Sequence, residues 1–141
     1  MKKVFADTLY WAAIVRPRDQ WQSPALMARK ALGDVCLATT DEVLGEFLAL
    51  LSQGPHLREK AVQMVRAILK NPNVNVIPQT RMSFLVGLEK YASRKDKTYT
   101  LTDCISMNVM EQESIQEILT NDHHFEQEGF VALIKSGQSR P

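Results

Sequence analysis

Val4-Phe5-Ala6-Asp7-Thr8-Leu9-Tyr10-Trp11 leaves the chain few choices of architecture. An apolar run ends on a carboxylate and a hydroxyl, and helix-forming residues follow at once. This is the form of a β-strand feeding an α-helix, and open α/β sheets bind their ligands outside the carboxyl ends of such strands. Asp7 can equally be read as a simple N-cap, since aspartate is among the favoured capping residues. The rest of the chain has to decide between the two.

The strand–helix alternation continues. Lys3 to Ala6 and Thr8 to Val15 form the first pair, and Arg16-Pro17-Arg18-Asp19 makes a turn. A second helix runs to Leu32 with Gly33 at its C-terminal cap, and Ser23-Pro24 marks either its start or a break. Val35 to Ala38 is a second strand. Thr39, with Glu42 three residues on, has the form of a capping box for a helix carrying Val43, Leu44, Phe47, Leu48 and Leu51. Gly54-Pro55 ends it, and a stripe from Leu57 to Leu69 gives the next helix, closed by Asn71-Pro72. Val74 to Ile77 is a third strand, and Pro78 opens a helix to Ser93. A helix starts at Thr100-Leu101-Thr102-Asp103, with Ile105, Met107, Val109 and Met110 facing inward. Gln116 to Thr120 is a fourth strand, followed by a helical turn through Gln127 and a last strand over Phe130 to Leu133. Such alternation predicts an α/β fold, a mainly parallel sheet with helices on both faces. One domain spans 1–135, with a flexible tail over 136–141.

Charge narrows the function classes. Lys+Arg 17 against Asp+Glu 16 gives +1, so bulk attraction to a polyanion is excluded and any nucleic-acid contact must rest on a local patch. Cys36 and Cys104 match no paired zinc spacing and read as thiols of a reducing compartment. Met1-Lys2-Lys3 before an apolar run resembles a secretion signal, but Asp7 interrupts it and no small-residue cleavage site follows. No stretch approaches the roughly 20 apolar residues that span a bilayer. A cytoplasmic protein without membrane contact is expected.

Four acids stand at comparable places in the pattern. Asp7 ends the first strand and Asp122 lies just past the fourth. Glu46 lies in the helix after the second strand, and Asp103 in the first turn of the helix before the fourth. Parallel strands bring their carboxyl ends to one edge, so these positions can converge. No serine–histidine–acid set, glycine-rich phosphate loop or Cys/His metal box is present. The donors are hard oxygens, which suit Mg²⁺ or Mn²⁺. Each acid also has a purely structural reading: Asp103 as partner of Thr100 in a capping box, Asp122 as a cap at His123, Glu46 as a helix former.

Val4-Phe5-Ala6-Asp7-Thr8, Thr39-Thr40-x-x-Val43-Leu44-x-Glu46, Leu101-Thr102-Asp103-Cys104 and Leu119-Thr120-x-Asp122-x-x-Phe125 together resemble the signature of PIN domains. Thr102 to Ser106 and His124 to Phe130 are similar to the bacterial branch that includes VapC-type toxins. The resemblance covers residues 2–134 in order. It implies a PIN-like three-layer α/β/α sandwich with a mainly parallel five-stranded sheet. The implied activity is a Mg²⁺- or Mn²⁺-dependent endoribonuclease, the toxin half of a type II toxin–antitoxin pair. Asp7, Glu46, Asp103 and Asp122 would be its acidic metal and catalytic site. Thr120 would be the hydroxyl beside it, Thr8 the hydroxyl after the first acid, and Asp96 a further acid whose position aligns less surely. RNA would be the substrate, a cognate antitoxin protein a partner, and a homodimer the expected assembly.

Other residues bear on the same question. His123 and His124 invite a general base or zinc ligand, but no second His/Cys pair accompanies them, and they read as surface histidines. Arg16, Arg18, Arg94, Lys95 and Lys97 are candidates to grip RNA phosphates. Trp11 and Trp21 could stack bases, although helix-borne tryptophans are more often core. Leu26, Met27, Leu57 and Met64 could meet a subunit or antitoxin, with core packing the default. Two other classes compete with the ribonuclease. One is a non-catalytic PIN-like RNA- or protein-binding module whose acids serve only as caps. The other is a phosphatase with an aspartyl nucleophile, for which Asp7-Thr8-Leu9 lacks the second aspartate.

Overall fold

In the computed structural model, residues 1–135 are described; the expected tail over 136–141 lies outside the described residues. The elements run β1 (Lys2–Ala6), α1 (Thr8–Val15), α2 (Gln22–Leu32), β2 (Val35–Thr40), α3 (Asp41–Leu50), α4 (Pro55–Lys70), β3 (Val74–Ile77), α5 (Arg81–Ser93), α6 (Leu101–Gln112), β4 (Glu117–Leu119), α7 (His123–Gln127) and β5 (Val131–Ala132). The five strands form one sheet in the order β3-β2-β1-β4-β5. Every neighbouring pair is parallel, with Phe5 opposite Ala38 on one side and Ile118 on the other. Val4, Phe5 and Ala6 are all fully buried although successive strand residues point to opposite faces. Both faces of the central strand are therefore covered, as an all-parallel sheet requires, and the three-layer α/β/α expectation holds.

The strand order places the site. From β1 the chain winds outward through β2 to β3, then returns across the sheet to β4 and β5. The direction of winding reverses between β1 and β4, and connections leaving their carboxyl ends diverge to open a crevice there. Phe47 of α3, Leu51 after it, Met107 and Met110 of α6 and Phe125 of α7 fill the core with less than 2 % exposure. The helix pair α5–α6 meets at Gly87, where a Cβ would come within 2.4 Å of Ile105 Cγ1. Among the described residues no helix is long and apolar enough to cross a membrane.

Three helix starts differ from the sequence expectation, each for a local hydrogen-bonding reason. The helix expected to start or break at Ser23-Pro24 begins at Gln22, because Asp19 Oδ1 accepts the Trp21 backbone N–H at 2.8 Å and turns the chain early. Pro24 then sits in the first turn, where a missing N–H leaves no bond unmade. The Thr39–Glu42 capping box does not form. Strand β2 runs two residues further, Thr40 caps α3 by accepting from Val43 N at 3.1 Å, and the Thr39 hydroxyl donates to the Ala6 carbonyl at 3.0 Å. Helix α5 starts at Arg81 rather than Pro78, because Thr80 and Ser83 form the reciprocal capping box. Leu57 and Met64 pack on the core, whereas Leu26 and Met27 are exposed.

Candidate active site

The simple N-cap reading of Asp7 does not describe its side chain. The residue occupies the N-cap position of α1 with extended backbone, yet its side chain makes no capping bond. Its Oδ2 instead accepts a hydrogen bond from Thr120 Oγ1 at 2.9 Å, across the gap between β1 and β4. The same Thr120 oxygen accepts the Asp122 backbone N–H at 3.1 Å. One buried hydroxyl at the end of β4 thus fixes the positions of two acids. On the other side, Thr8 Oγ1 donates to Glu46 Oε1 at 2.6 Å and ties α3 to the start of α1.

Asp103 and Asp122 do cap helices, and they face the crevice as well. Asp103 Oδ2 accepts the Thr100 N–H at 3.1 Å while Thr100 Oγ1 accepts the Asp103 N–H at 3.0 Å. Asp122 Oδ1 accepts the His124 N–H at 2.9 Å. Each cap fixes its carboxylate against the backbone. Asp7, Glu46, Asp103 and Asp122 all line one cleft of about 750 Å³, together with Thr8, Thr120 and Arg16. The structural readings of Asp103 and Asp122 are therefore correct without being complete.

The electrostatics are those of a site short of positive charge. Burial pushes the Asp7 carboxyl up to about 7; the charges of Asp103 and Glu46 add to this, and hydrogen bonds from the Thr8 backbone and the Thr120 hydroxyl oppose it. Asp103 is also raised, first by burial and then by Asp122, with the Thr100 backbone and His124 acting the other way. Among the described residues no lysine or arginine forms an ion pair with these four acids; Arg16 on the rim pairs with Asp19 at 3.3 Å. Hard oxygens with no paired lysine or arginine suit a divalent metal. Asp103, Asp122 and His124 each offer one ligand atom within 4.8 Å of one another, and Asp7 and Glu46, though in the same cleft, are not part of that group.

His124 corrects the sequence reading. His123 is exposed, as a surface histidine should be, but His124 is not. Its Nδ1 lies 3.3 Å from both Asp103 Oδ2 and Asp122 Oδ1, its Nε2 lies 3.0 Å from Thr98 Oγ1, and its ring stands edge-on to Tyr99 at 5.2 Å. The only clue in the sequence is its place two residues after Asp122. The partner that matters, Asp103, is brought in by the sheet.

Of the candidate RNA contacts, the cleft takes in Thr8 and Arg16. Arg18 lies on the exposed turn with φ 60°, outside that lining. Arg94, Lys95 and Lys97 line a separate recess with Tyr91 and Tyr99. Arg94 forms a fork onto Glu128, with Nε at 3.1 Å and one terminal nitrogen at 2.9 Å. Lys97 pairs with the exposed Asp96 at 3.9 Å, which places Asp96 away from the four acids. Trp21 lines the cleft, and Trp11 is buried.

No protein-family model matches the chain, and neither does any curated protein. Solved structures do. The crystal structure of Mycobacterium tuberculosis VapC20, a Sarcin-Ricin loop cleaving toxin, superposes with a TM-score of 0.81 at 26% identity, over 91% of this chain and 96% of that one. FitAcB from Neisseria gonorrhoeae matches with a TM-score of 0.65 at 14% identity, over 94% and 97% of the two chains. A toxin–antitoxin complex from Klebsiella pneumoniae gives 0.58 at 15% identity, over 85% and 87%. The last two likenesses concern the fold alone.

Proposed function

We propose that the chain is a PIN domain of the VapC type and a divalent-metal-dependent endoribonuclease, the toxin of a type II toxin–antitoxin pair, on the strength of its likeness to VapC20. One observation carries the reading: four acids from separate elements converge on the crevice between β1 and β4, with Asp7 released from capping to face them. VapC20 cleaves the Sarcin-Ricin loop, which supports RNA as the substrate class. A cognate antitoxin as protein partner belongs to the same reading, resting on the resemblance to toxins of this type. A homodimer and a cytoplasmic location belong to the same proposal.

A divalent ion held by Asp7, Asp103, Asp122 and Glu46 would supply an ionised water and relieve charge on the leaving oxygen of a phosphodiester. The chain's own part is preorganisation. Thr120 fixes Asp7 and Asp122 relative to one another, Thr100 locks Asp103, and Thr8 locks Glu46. The carboxylates therefore need little rearrangement when the substrate arrives. Arg16, which lines the cleft and pairs with Asp19, is the proposed phosphate contact on this reading. Mg²⁺ and Mn²⁺ should be titrated against a mixture of end-labelled RNAs, with Asp7→Asn alongside. Metal-dependent internal cleavage that this substitution abolishes is expected. RNA binding without cleavage at any metal concentration would favour the non-catalytic module.

A further inference from the structure

The acidic site has a member that hard-oxygen chemistry does not call for. His124 sits with Nδ1 at 3.3 Å from a carboxylate oxygen of Asp103 and at 3.3 Å from one of Asp122. Asp103 is fixed by the Thr100 N–H, and Asp122 by the N–H of His124 itself, so the same cap that holds Asp122 also sets it beside this ring. The imidazole is held from behind as well, by Thr98 Oγ1 at 3.0 Å on Nε2 and by the edge-on Tyr99 ring. Donors about 2.1 Å from an octahedral ion stand about 3 Å apart along each edge, and the 3.3 Å from Nδ1 to each of its two neighbours is close to two such edges, with all three ligand atoms within 4.8 Å of one another. When Nε2 carries the ring hydrogen and donates it to Thr98, Nδ1 is left with a lone pair for an ion; in the other tautomer it is Nδ1 that donates to Asp103. Metal-ligating histidines are commonly oriented through the far nitrogen, as in the first of these.

We propose that His124 is a metal ligand, giving this chain a mixed nitrogen–oxygen site, Asp103–Asp122–His124, that favours Mn²⁺ over Mg²⁺. The physical reason is donor type. An imidazole adds affinity for first-row transition ions, which accept nitrogen readily, and little for Mg²⁺, which prefers oxygen and keeps its waters. His123 lines the same cleft, its ring 5.2 Å from that of His124, but it is exposed and not one of the three ligand residues, so it is the neighbouring control. The inference rests on the metal-dependent reading above but can fail while that reading stands.

The test is made on the full chain without RNA. Mn²⁺-loaded protein should show ¹⁴N modulation of directly bound imidazole in electron spin-echo spectra. His124→Ala and His124→Gln should both remove it, and His123→Ala should leave it intact. By calorimetry, His124→Gln should lower Mn²⁺ affinity by about tenfold or more, the scale of disturbing a ligand shell, and change Mg²⁺ affinity by less than about threefold. Asp103→Asn should weaken both ions. Imidazole modulation absent from the unsubstituted protein, or surviving in His124→Gln, would overturn the proposal even if RNA is cut normally. If neither ion binds, or if Asp103→Asn leaves both affinities unchanged, the metal-dependent reading falls together with it.

Discussion

Two groups of carboxylates flank the segment 94–100, and the fold treats them in opposite ways. On one side Glu128 accepts a fork from Arg94 and a hydrogen bond from Tyr99 Oη at 2.8 Å, with Lys90 at 3.9 Å. The Arg94 guanidinium holds its carboxyl below the usual range. On the other side Asp7 and Asp103 are buried with their carboxyls pushed up, beside further acids and no lysine or arginine paired with them. The border between them is the pair of rings, Tyr99 on one side and His124 on the other. The contrast is between an acid answered by an arginine and a tyrosine and acids answered only by backbone N–H groups, hydroxyls and a histidine. The cleft acids have no paired lysine or arginine among the described residues, and on the proposed reading a divalent cation would neutralise them, at a cost in stability until it binds.

The largest effect that could break this contrast is on cleavage. Asp103→Asn keeps the shape and the capping oxygen but removes one charge. We expect RNA cleavage to fall at least about a hundredfold, the scale of removing one electrostatic stabiliser of a transition state. The metal-free melting temperature should be unchanged or higher, and the gain on adding Mg²⁺ or Mn²⁺ smaller. An acid that merely caps predicts a loss of about 1 kcal/mol with cleavage retained. Melting curves with and without metal, beside cleavage of labelled RNA, separate the two.

Glu128→Gln tests the other side. It strips the charge from an acid held by Arg94 and Tyr99, and should cost roughly 1–2 kcal/mol of stability while leaving metal binding and cleavage close to the parent. A stable Glu128→Gln that cannot cut would mean that the two regions are not separate in function.

Acidity gives a subtler readout, because the two groups bend the stability curve in opposite directions. Asp7 is raised from 3.8 to about 7 in the folded chain, so the unfolded chain gives up this proton more readily. Its contribution is fully present below pH 3.8 and is lost as pH climbs towards 7. Glu128 is lowered, so its contribution is present above the usual carboxylate range and lost as pH falls through it. In chelator, melting temperature should therefore decline from about pH 4 to pH 7, and Asp7→Asn should flatten that decline. Glu128→Gln should flatten only the acid arm. An unaltered slope in Asp7→Asn would remove the idea of stored repulsion.

The smallest effect concerns the recess beyond the border. Arg94 is committed to Glu128, which leaves Lys95 and Lys97 to meet a phosphate backbone there. Reversing both to Glu should weaken RNA binding and lower the slope of log affinity against log salt by about 0.7 for each phosphate no longer neutralised. An unchanged slope would mean that the backbone path runs elsewhere, past Arg16.

Much of this was legible in the chain itself, because strands, helices and their caps are settled within a few residues. The run into Asp7, the Thr100–Asp103 box and the apolar stripe of α3 each encode local backbone geometry and one buried face. The alternation of elements is enough to imply a parallel sheet with its chemistry at one edge. The motifs in order are enough to pick out the acids. What the chain could not show are pairings fixed by strand order. Thr39 answers to the Ala6 carbonyl of the neighbouring strand and not to its own helix. Arg94 is taken by a glutamate 34 residues away. His124 is surrounded through Asp103, which lies 21 residues earlier. Periodicity and capping are short-range, whereas contacts across a sheet depend on where each crossover sets the next strand down. For that reason the four acids that line the cleft could be picked out in the sequence, but which side chains stand beside an acid, Arg94 on Glu128 or His124 beside Asp103, was decided by the tertiary structure.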